Sequence, residues 1–169
     1  MKYWFFPVLF FALTLMSGCD GKSCKDIVCG NNEICANGGC FCNDGYYGQN
    51  CDQLTANKFA NQNYYVTESC QSGTGGGSGY YAYIYPGGSV GTVTIGNFLG
   101  QGYEVVAYLK GDANKTGDYL YIPEQSYSGS GSVQGEGYYN PATYRISFNL
   151  NYTYGLGASN SCTQTFQRQ

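Results

Sequence analysis

Six of the nine cysteines in this 169-residue chain lie within residues 24–51, and this density limits the fold more than any other feature. A segment so short cannot bury an adequate hydrophobic core, so covalent cross-links must take the place of one. The spacing is C-x4-C-x5-C-x4-C-x-C-x8-C. In an exported protein this spacing predicts a disulfide framework, and the arithmetic alone leaves several pairings open.

The N-terminal segment indicates export. Lys2 precedes an apolar stretch from Tyr3 to Leu15, which is too short to span a bilayer and has the length of a signal-peptide core. The following residues, Leu15-Met16-Ser17-Gly18-Cys19, resemble the lipobox of bacterial lipoproteins. The resemblance implies a signal peptide at 1–18, fatty-acyl attachment such as palmitate at Cys19, and a lipidated tether at 19–23. The protein would then be held at the outer membrane or cell surface.

Two other outcomes are compatible with the same segment. Without cleavage it would act as a simple membrane anchor, and without lipidation the protein would be secreted freely. Removal of Cys19 from the count leaves eight cysteines, an even number that can all form disulfides.

Residues 24–51 resemble an EGF-like domain. The segment ends in CFCNDGYYGQNC, which carries the C-x-C-x5-G-x2-C pattern of that family with Gly48 at the glycine position. The resemblance implies three disulfides, Cys24–Cys35, Cys29–Cys40 and Cys42–Cys51. A zinc cluster is the alternative, but an exported compartment favours oxidation and the chain has no histidine.

No metal or other cofactor is predicted. Calcium-binding EGF-like domains place hard oxygen ligands just before the first cysteine. Here Asp20 offers a carboxylate, but Lys22 places a cation where a second carboxylate is expected. We therefore predict that the EGF-like segment does not bind calcium.

A linker at 52–62 and an all-β domain at 63–169 are predicted for the rest of the chain. Clusters of turn-forming residues separate short β-rich segments, a pattern typical of an all-β fold. The clearest segment, TYRISFNLNYTY, alternates throughout, and one face carries Tyr144, Ile146, Phe148, Leu150, Tyr152 and Tyr154. We predict eight strands, at Tyr64–Cys70, Gly79–Tyr85, Ser89–Phe98, Tyr103–Lys110, Tyr119–Pro123, Gly131–Tyr138, Thr143–Tyr154 and Asn160–Gln167. In the third of these, Val93 and Ile95 are expected inside, and Thr92 and Thr94 outside.

The last two cysteines, Cys70 and Cys162, fall in the first and last predicted strands. Those strands are neighbours in an up-and-down barrel, so a Cys70–Cys162 disulfide would join the ends of the sheet. The same bond is compatible with a β-sandwich, but the meandering order and short connections favour an eight-stranded antiparallel barrel. The strand pattern and paired cysteines are similar to calycin or lipocalin-like domains of bacterial lipoproteins, although the lipocalin Gly-x-Trp motif is absent.

The sequence offers little for catalysis, and we predict that the protein is not an enzyme. The absence of histidine excludes Ser-His-Asp and Cys-His pairs. Two carboxyls alone can hydrolyse glycosides, but nothing in the sequence pairs the candidates. These are Glu68, Glu104, Asp112, Asp118, Glu124 and Glu136. A net charge of −3 without any basic run argues against a nucleic-acid partner.

The 19 tyrosines are the best functional lead. Two predicted strands each place tyrosines on one face, and these form a candidate binding face of Tyr81, Tyr83, Tyr85, Tyr119 and Tyr121. An exposed row of this kind suits sugars, peptides or proteins, although tyrosine also pairs across strands for structural reasons. We expect a membrane-anchored, non-catalytic binding or adhesion module for extracellular protein or glycan. The alternatives are a carrier of a small apolar ligand inside the barrel and, last, a carboxylate-based hydrolase.

Overall fold

The computed structural model describes residues 24–71, 79–112, 114–153 and 157–169. The predicted signal peptide and the tether with Cys19 lie outside these residues, as does Tyr154. The described residues consist almost entirely of β-strands, so the prediction of an all-β protein is confirmed. They include no helix long and apolar enough to cross a membrane.

The N-terminal module consists of a 3-10 turn and two small hairpins. The turn is Cys24–Asp26, and the strands are β1 (Glu33–Ala36), β2 (Gly39–Cys42), β3 (Tyr46–Tyr47) and β4 (Gln53–Leu54). Asn37 and Gly38 form the two-residue turn of the first hairpin with φ of 49° and 72°. Positive φ at both positions is what a type I′ turn needs, because its twist matches that of the strands.

Three disulfides hold this module together, in the same pairing that the EGF-like resemblance implies. They are Cys24–Cys35, Cys29–Cys40 and Cys42–Cys51. The module has little apolar core of its own, since Val28 is 97% exposed and Ile34 56% exposed. The cross-links therefore supply the stability that burial cannot.

Residues 52–62, predicted as a linker, pack against both parts of the protein. They contain β4 and a short helix, α1 (Ala56–Phe59), and the first barrel strand already begins at Gln62. Phe59 is fully buried and belongs to the barrel core, where its ring meets that of Tyr139 edge-on at 5.1 Å. This apolar anchor makes the segment part of the barrel rather than a free connection.

Eight antiparallel strands form a closed barrel. Each pairs with its neighbours in sequence, and the last strand pairs with the first, so the predicted up-and-down barrel is confirmed in place of the β-sandwich. The strands are β5 (Gln62–Cys70), β6 (Tyr80–Pro86), β7 (Thr92–Phe98), β8 (Tyr103–Lys110), β9 (Tyr119–Ser126), β10 (Ser132–Asn140), β11 (Arg145–Thr153) and β12 (Ser159–Arg168). A disulfide joins Cys70 to Cys162 across the seam between β5 and β12.

Inward side chains from all eight strands form one core. Strand β11 shows the predicted alternation, with Ile146, Phe148, Leu150 and Tyr152 buried. Tyr144 was predicted on the same inner face, and this prediction is wrong: it is 54% exposed. Its φ of 53° ends the preceding turn, so the alternation begins only at Arg145.

One further side chain departs from the predicted pattern. Thr92 was expected to face solvent, but it is buried at the β6–β7 turn. Its hydroxyl donates a hydrogen bond to the carbonyl of Ser89 and accepts one from the Ser89 N–H. The turn therefore covers Thr92, whereas Val93 and Ile95 enter the core as predicted.

The N-terminal module sits on one end of the barrel. The Gly45 N–H donates to the carbonyl of Leu109 at 3.0 Å, and Lys110 forms an ion pair with Asp44 at 2.8 Å. Lys115, in the β8–β9 connection, forms a second ion pair with Glu33. Backbone bonds and charge pairs together fix the module against the barrel.

Candidate functional site

Outward-facing tyrosines cover one side of the barrel. They lie on strands β5, β6, β8, β9 and β10, and we call them the tyrosine face: Tyr65, Tyr81, Tyr83, Tyr85, Tyr108, Tyr119, Tyr121 and Tyr138. All five tyrosines of the predicted binding face belong to it. The other three were missed, because their membership depends on which strands become neighbours in the barrel.

The first of two clusters lies on β5 and β6. Tyr65 and Tyr81 are opposite each other in the register, with ring centroids 5.4 Å apart. Tyr83 and Tyr85 stack at 5.8 Å with an angle of 26° between the rings. Tyr81 is 63% exposed and Tyr83 48% exposed, so ring surface remains open to a ligand.

The ring of Tyr83 lies directly over Gly96 on β7. The two residues are register partners, and a Cβ atom at Gly96 would approach a ring carbon of Tyr83 to 2.4 Å. Glycine inside a strand often marks such a close approach. The ring is therefore seated on the backbone of β7 and loses little freedom when a ligand binds.

Tyr85 reaches across β7 to a carboxylate. It is opposite Thr94, and its hydroxyl donates a hydrogen bond to Glu104 on β8. The hydrogen bond to Glu104, together with burial, raises the pKa of Tyr85 to about 12. The hydroxyl thus remains protonated at neutral pH and fixes the ring beside Tyr83.

The second cluster lies on β8, β9 and β10. Tyr108 is opposite Tyr121, and the rings of Tyr119 and Tyr138 are 4.9 Å apart. The Tyr119 hydroxyl donates to Glu136 at 2.9 Å. Burial and this hydrogen bond raise the pKa of Tyr119 to about 12. Each cluster therefore combines neighbouring rings, stacked in the first and tilted by 45° in the second, with one tyrosine–carboxylate pair.

The six candidate carboxylates are engaged separately. Glu104 and Glu136 bind tyrosines of the two clusters, and Asp118 forms an ion pair with Lys58 at 2.8 Å. Asp112 accepts hydrogen bonds from the backbone N–H groups of residues 116 and 117, and Glu124 is exposed.

Glu68 lies inside the barrel, at the end away from the N-terminal module. Its carboxylate accepts hydrogen bonds from Tyr152 at 3.0 Å and from the Gln164 amide at 2.7 Å. Buried aromatic and aliphatic side chains fill the interior below it, including Phe98, Phe148 and Phe166. A barrel packed in this way leaves little room for an apolar ligand.

Two groups of side chains in the described ranges have the spacing of a metal site. One contains Cys29, Cys40 and Glu33, and the other contains Glu68 beside the seam disulfide. In both groups the sulfurs are already joined in disulfides, so they cannot act as thiolate ligands. The geometry gives no reason to assign a metal to either group.

Comparison with known proteins adds no family assignment. No protein-family model matches the chain, and no curated protein is significantly similar to it. The fold and the tyrosine face therefore define the class: a disulfide-braced β-barrel with an aromatic exterior.

Proposed function

We propose that the protein is a membrane-anchored surface lipoprotein that acts as a non-catalytic binding or adhesion module, with a glycan as its ligand. The stacked pair of Tyr83 and Tyr85 carries the proposal, because both rings are held in place before any ligand arrives. Rings fixed in this way bind with a small entropic cost.

The chemistry of this cluster suits a sugar. The apolar C–H face of a pyranose can pack on the exposed ring of Tyr83, and the neighbouring hydroxyls and the Glu104 carboxylate can bind sugar hydroxyl groups. Tyrosine combines an apolar body with a polar tip, which is the combination that such a ligand needs.

A protein partner is the second candidate. The tyrosine face extends over two clusters and five strands, which is wider than one sugar ring requires. Tyrosine is also enriched at protein interfaces. A sugar needs only the cluster that contains Tyr83, whereas a protein partner would contact both clusters.

The test uses the purified full-length chain in neutral detergent against an array of neutral oligosaccharides. We expect binding that Tyr83→Ala weakens about tenfold, equivalent to about 1.4 kcal/mol. Tyr138→Ala is the matched control, because this ring is equally accessible, at 55% exposed, but lies in the other cluster. Loss of oligosaccharide binding in both variants would show that the ligand spans both clusters, and no binding by the native chain would refute the glycan.

The anchor and the EGF-like identity of residues 24–51 belong to the same proposal. The lipobox-like residues before Cys19 support the anchor, and the disulfide pairing and two hairpins support the EGF-like module. Mass spectrometry of the mature protein from its native host should find an N-terminal, acylated Cys19. An unmodified thiol at Cys19 would contradict the anchor and leave the binding proposal standing.

A further inference from the structure

Both arginines of the chain, Arg145 and Arg168, lie at the same end of the barrel. Arg145 begins β11 and Arg168 ends β12, so antiparallel pairing places them side by side at the end that carries the N-terminal module. Arg145 is opposite Gln167 in the register, and Arg168 is the residue after Gln167.

The arginines differ from three of the lysines in their partners. Lys58, Lys110 and Lys115 each form an ion pair with a carboxylate. Within the described ranges, neither arginine forms an ion pair with any carboxylate. In a chain with a net charge of −3, two cations without acidic partners at one place leave a local positive site.

The surroundings hold Arg168 in position. Its guanidinium lies over the ring of Tyr144, 5.7 Å from the centroid, and its backbone N–H donates to the Tyr144 carbonyl at 3.3 Å. A depression of about 350 Å³ is lined by Tyr144, Gln167, Arg168 and Gln169. Arg168 is half-buried there, and the depression is open to solvent.

The side chain of Arg145 is hydrogen-bonded to Gln167, which lines the depression. Its Nε donates a hydrogen bond to the side-chain carbonyl of Gln167, whose amide nitrogen in turn donates to the Thr143 carbonyl at 3.3 Å. Within the part of the chain that the structure describes, the terminal nitrogens of the Arg145 guanidinium make no hydrogen bond. The charge of Arg168 also acts on Tyr139. Burial raises the pKa of the Tyr139 hydroxyl, and the positive charge of Arg168 lowers it in part.

We propose that Arg168, assisted by Arg145, binds a phosphate or sulfate group at this end of the barrel. A guanidinium offers planar, paired N–H donors that match the oxygens of such a group. The amide of Gln169 lines the depression and can contribute a further donor. The site is separate from the tyrosine face and does not depend on the proposed function.

The same chemistry can come from two sources. One is a lipid headgroup, since the site is on the end of the barrel that carries the N-terminal module; the other is a sulfated sugar. Glycerol 3-phosphate is a soluble probe for the lipid headgroup, and glucose 6-sulfate is one for the sulfated sugar. Inorganic phosphate measures how strongly the anionic group binds without either carrier. Titration calorimetry of the full-length chain in neutral detergent with each probe separates the sources.

We expect one binding site per chain, with Arg168→Gln weakening binding at least tenfold. Arg168→Lys should also weaken it, because an ammonium keeps the charge but lacks the paired donors. Since Arg168 packs on Tyr144 and its loss can disturb the fold, the exposed Arg145→Gln provides an independent variant, with an expected loss of about threefold to tenfold.

Lys25→Gln is the matched control, because it removes one positive charge from the N-terminal module, outside the depression. Its affinity should equal that of the native chain. Equal weakening by Lys25→Gln and Arg145→Gln would show nonspecific attraction and overturn the site. A dissociation constant above about 1 mM for all three probes would overturn it as well.

Discussion

Cys70 and Cys162 face each other directly in the register of β5 and β12, and their disulfide crosses the seam at which the barrel closes. The bond links positions 92 residues apart in sequence. Closing so long a loop removes much of the conformational freedom of the unfolded chain. The last strand is thereby held to the first by a covalent bond as well as by the ladder of backbone hydrogen bonds.

The double variant Cys70→Ala/Cys162→Ala should lower the free energy of unfolding by about 4–5 kcal/mol in the chain-entropy model. Urea denaturation of both proteins under oxidising conditions measures the difference. The double replacement avoids a free thiol that could exchange with the three disulfides of the N-terminal module. A loss below about 1 kcal/mol would mean that the unfolded chain is already restrained by other means.

Phe59 should stabilise the barrel although it precedes the first barrel strand. It is fully buried against Tyr139, so Phe59→Ala should lower the free energy of unfolding by about 3–5 kcal/mol. Leu54→Ala is the matched control in the same segment, because Leu54 is 39% exposed and its truncation should cost less than about 1 kcal/mol. Equal losses of unfolding free energy in the two variants would mean that residues 52–62 act as a linker and not as part of the barrel.

The strands of the barrel could be predicted from the sequence because most of them have a half-buried, period-two pattern and lie between turn residues. The bounds of β8, Tyr103–Lys110, were obtained without error, and Cys70 and Cys162 were placed on neighbouring strands. Alternation failed at Tyr144, where the local turn sets a positive φ that no periodicity reports. The burial of Phe59 was missed for a similar reason, since a four-residue helix is too short to show a pattern.

The binding face was predicted in part. Strand alternation places Tyr81, Tyr83 and Tyr85 outside, but it does not say which strand lies beside them. The packing of the Tyr83 ring on Gly96 depends on the register of β6 and β7. The one sequence signal for this packing was a glycine within a predicted strand. The grouping of Arg145 and Arg168 depends on the register of β11 and β12, which alternation alone does not report.

Gly96→Val should displace the ring of Tyr83 without removing any tyrosine. The Cβ would lie 2.4 Å from the ring, so the ring must leave the surface of β7. We expect a change in the NMR shifts of the Tyr83 ring, together with glycan binding weakened to about the level of Tyr83→Ala. Gly102→Ala is a suitable control for glycine replacement, because space around that position is open, although its φ of 77° makes a small loss of stability expected.

Acid should weaken the contact between the N-terminal module and the barrel. Hydrogen bonds from the Lys115 ammonium and the Gly30 N–H hold the pKa of Glu33 below its ordinary value of 4.5. A carboxyl whose folded-state pKa is lowered contributes stability above its unfolded pKa. That contribution is therefore present at neutral pH and disappears as the pH falls through the lowered folded-state value.

The titration of Glu33 can be followed directly by NMR of its side-chain carboxyl carbon. Lys115→Gln should raise the pKa of Glu33 toward 4.5, because the largest cause of the shift is removed. Lys110→Gln should leave that pKa unchanged, since Lys110 pairs with Asp44 instead. If Glu33 of the native chain titrates at its ordinary value, the ion pair with Lys115 does not hold in solution. The module must then be fixed by the remaining contacts, among them the Lys110–Asp44 ion pair and the backbone bond from Gly45 to Leu109.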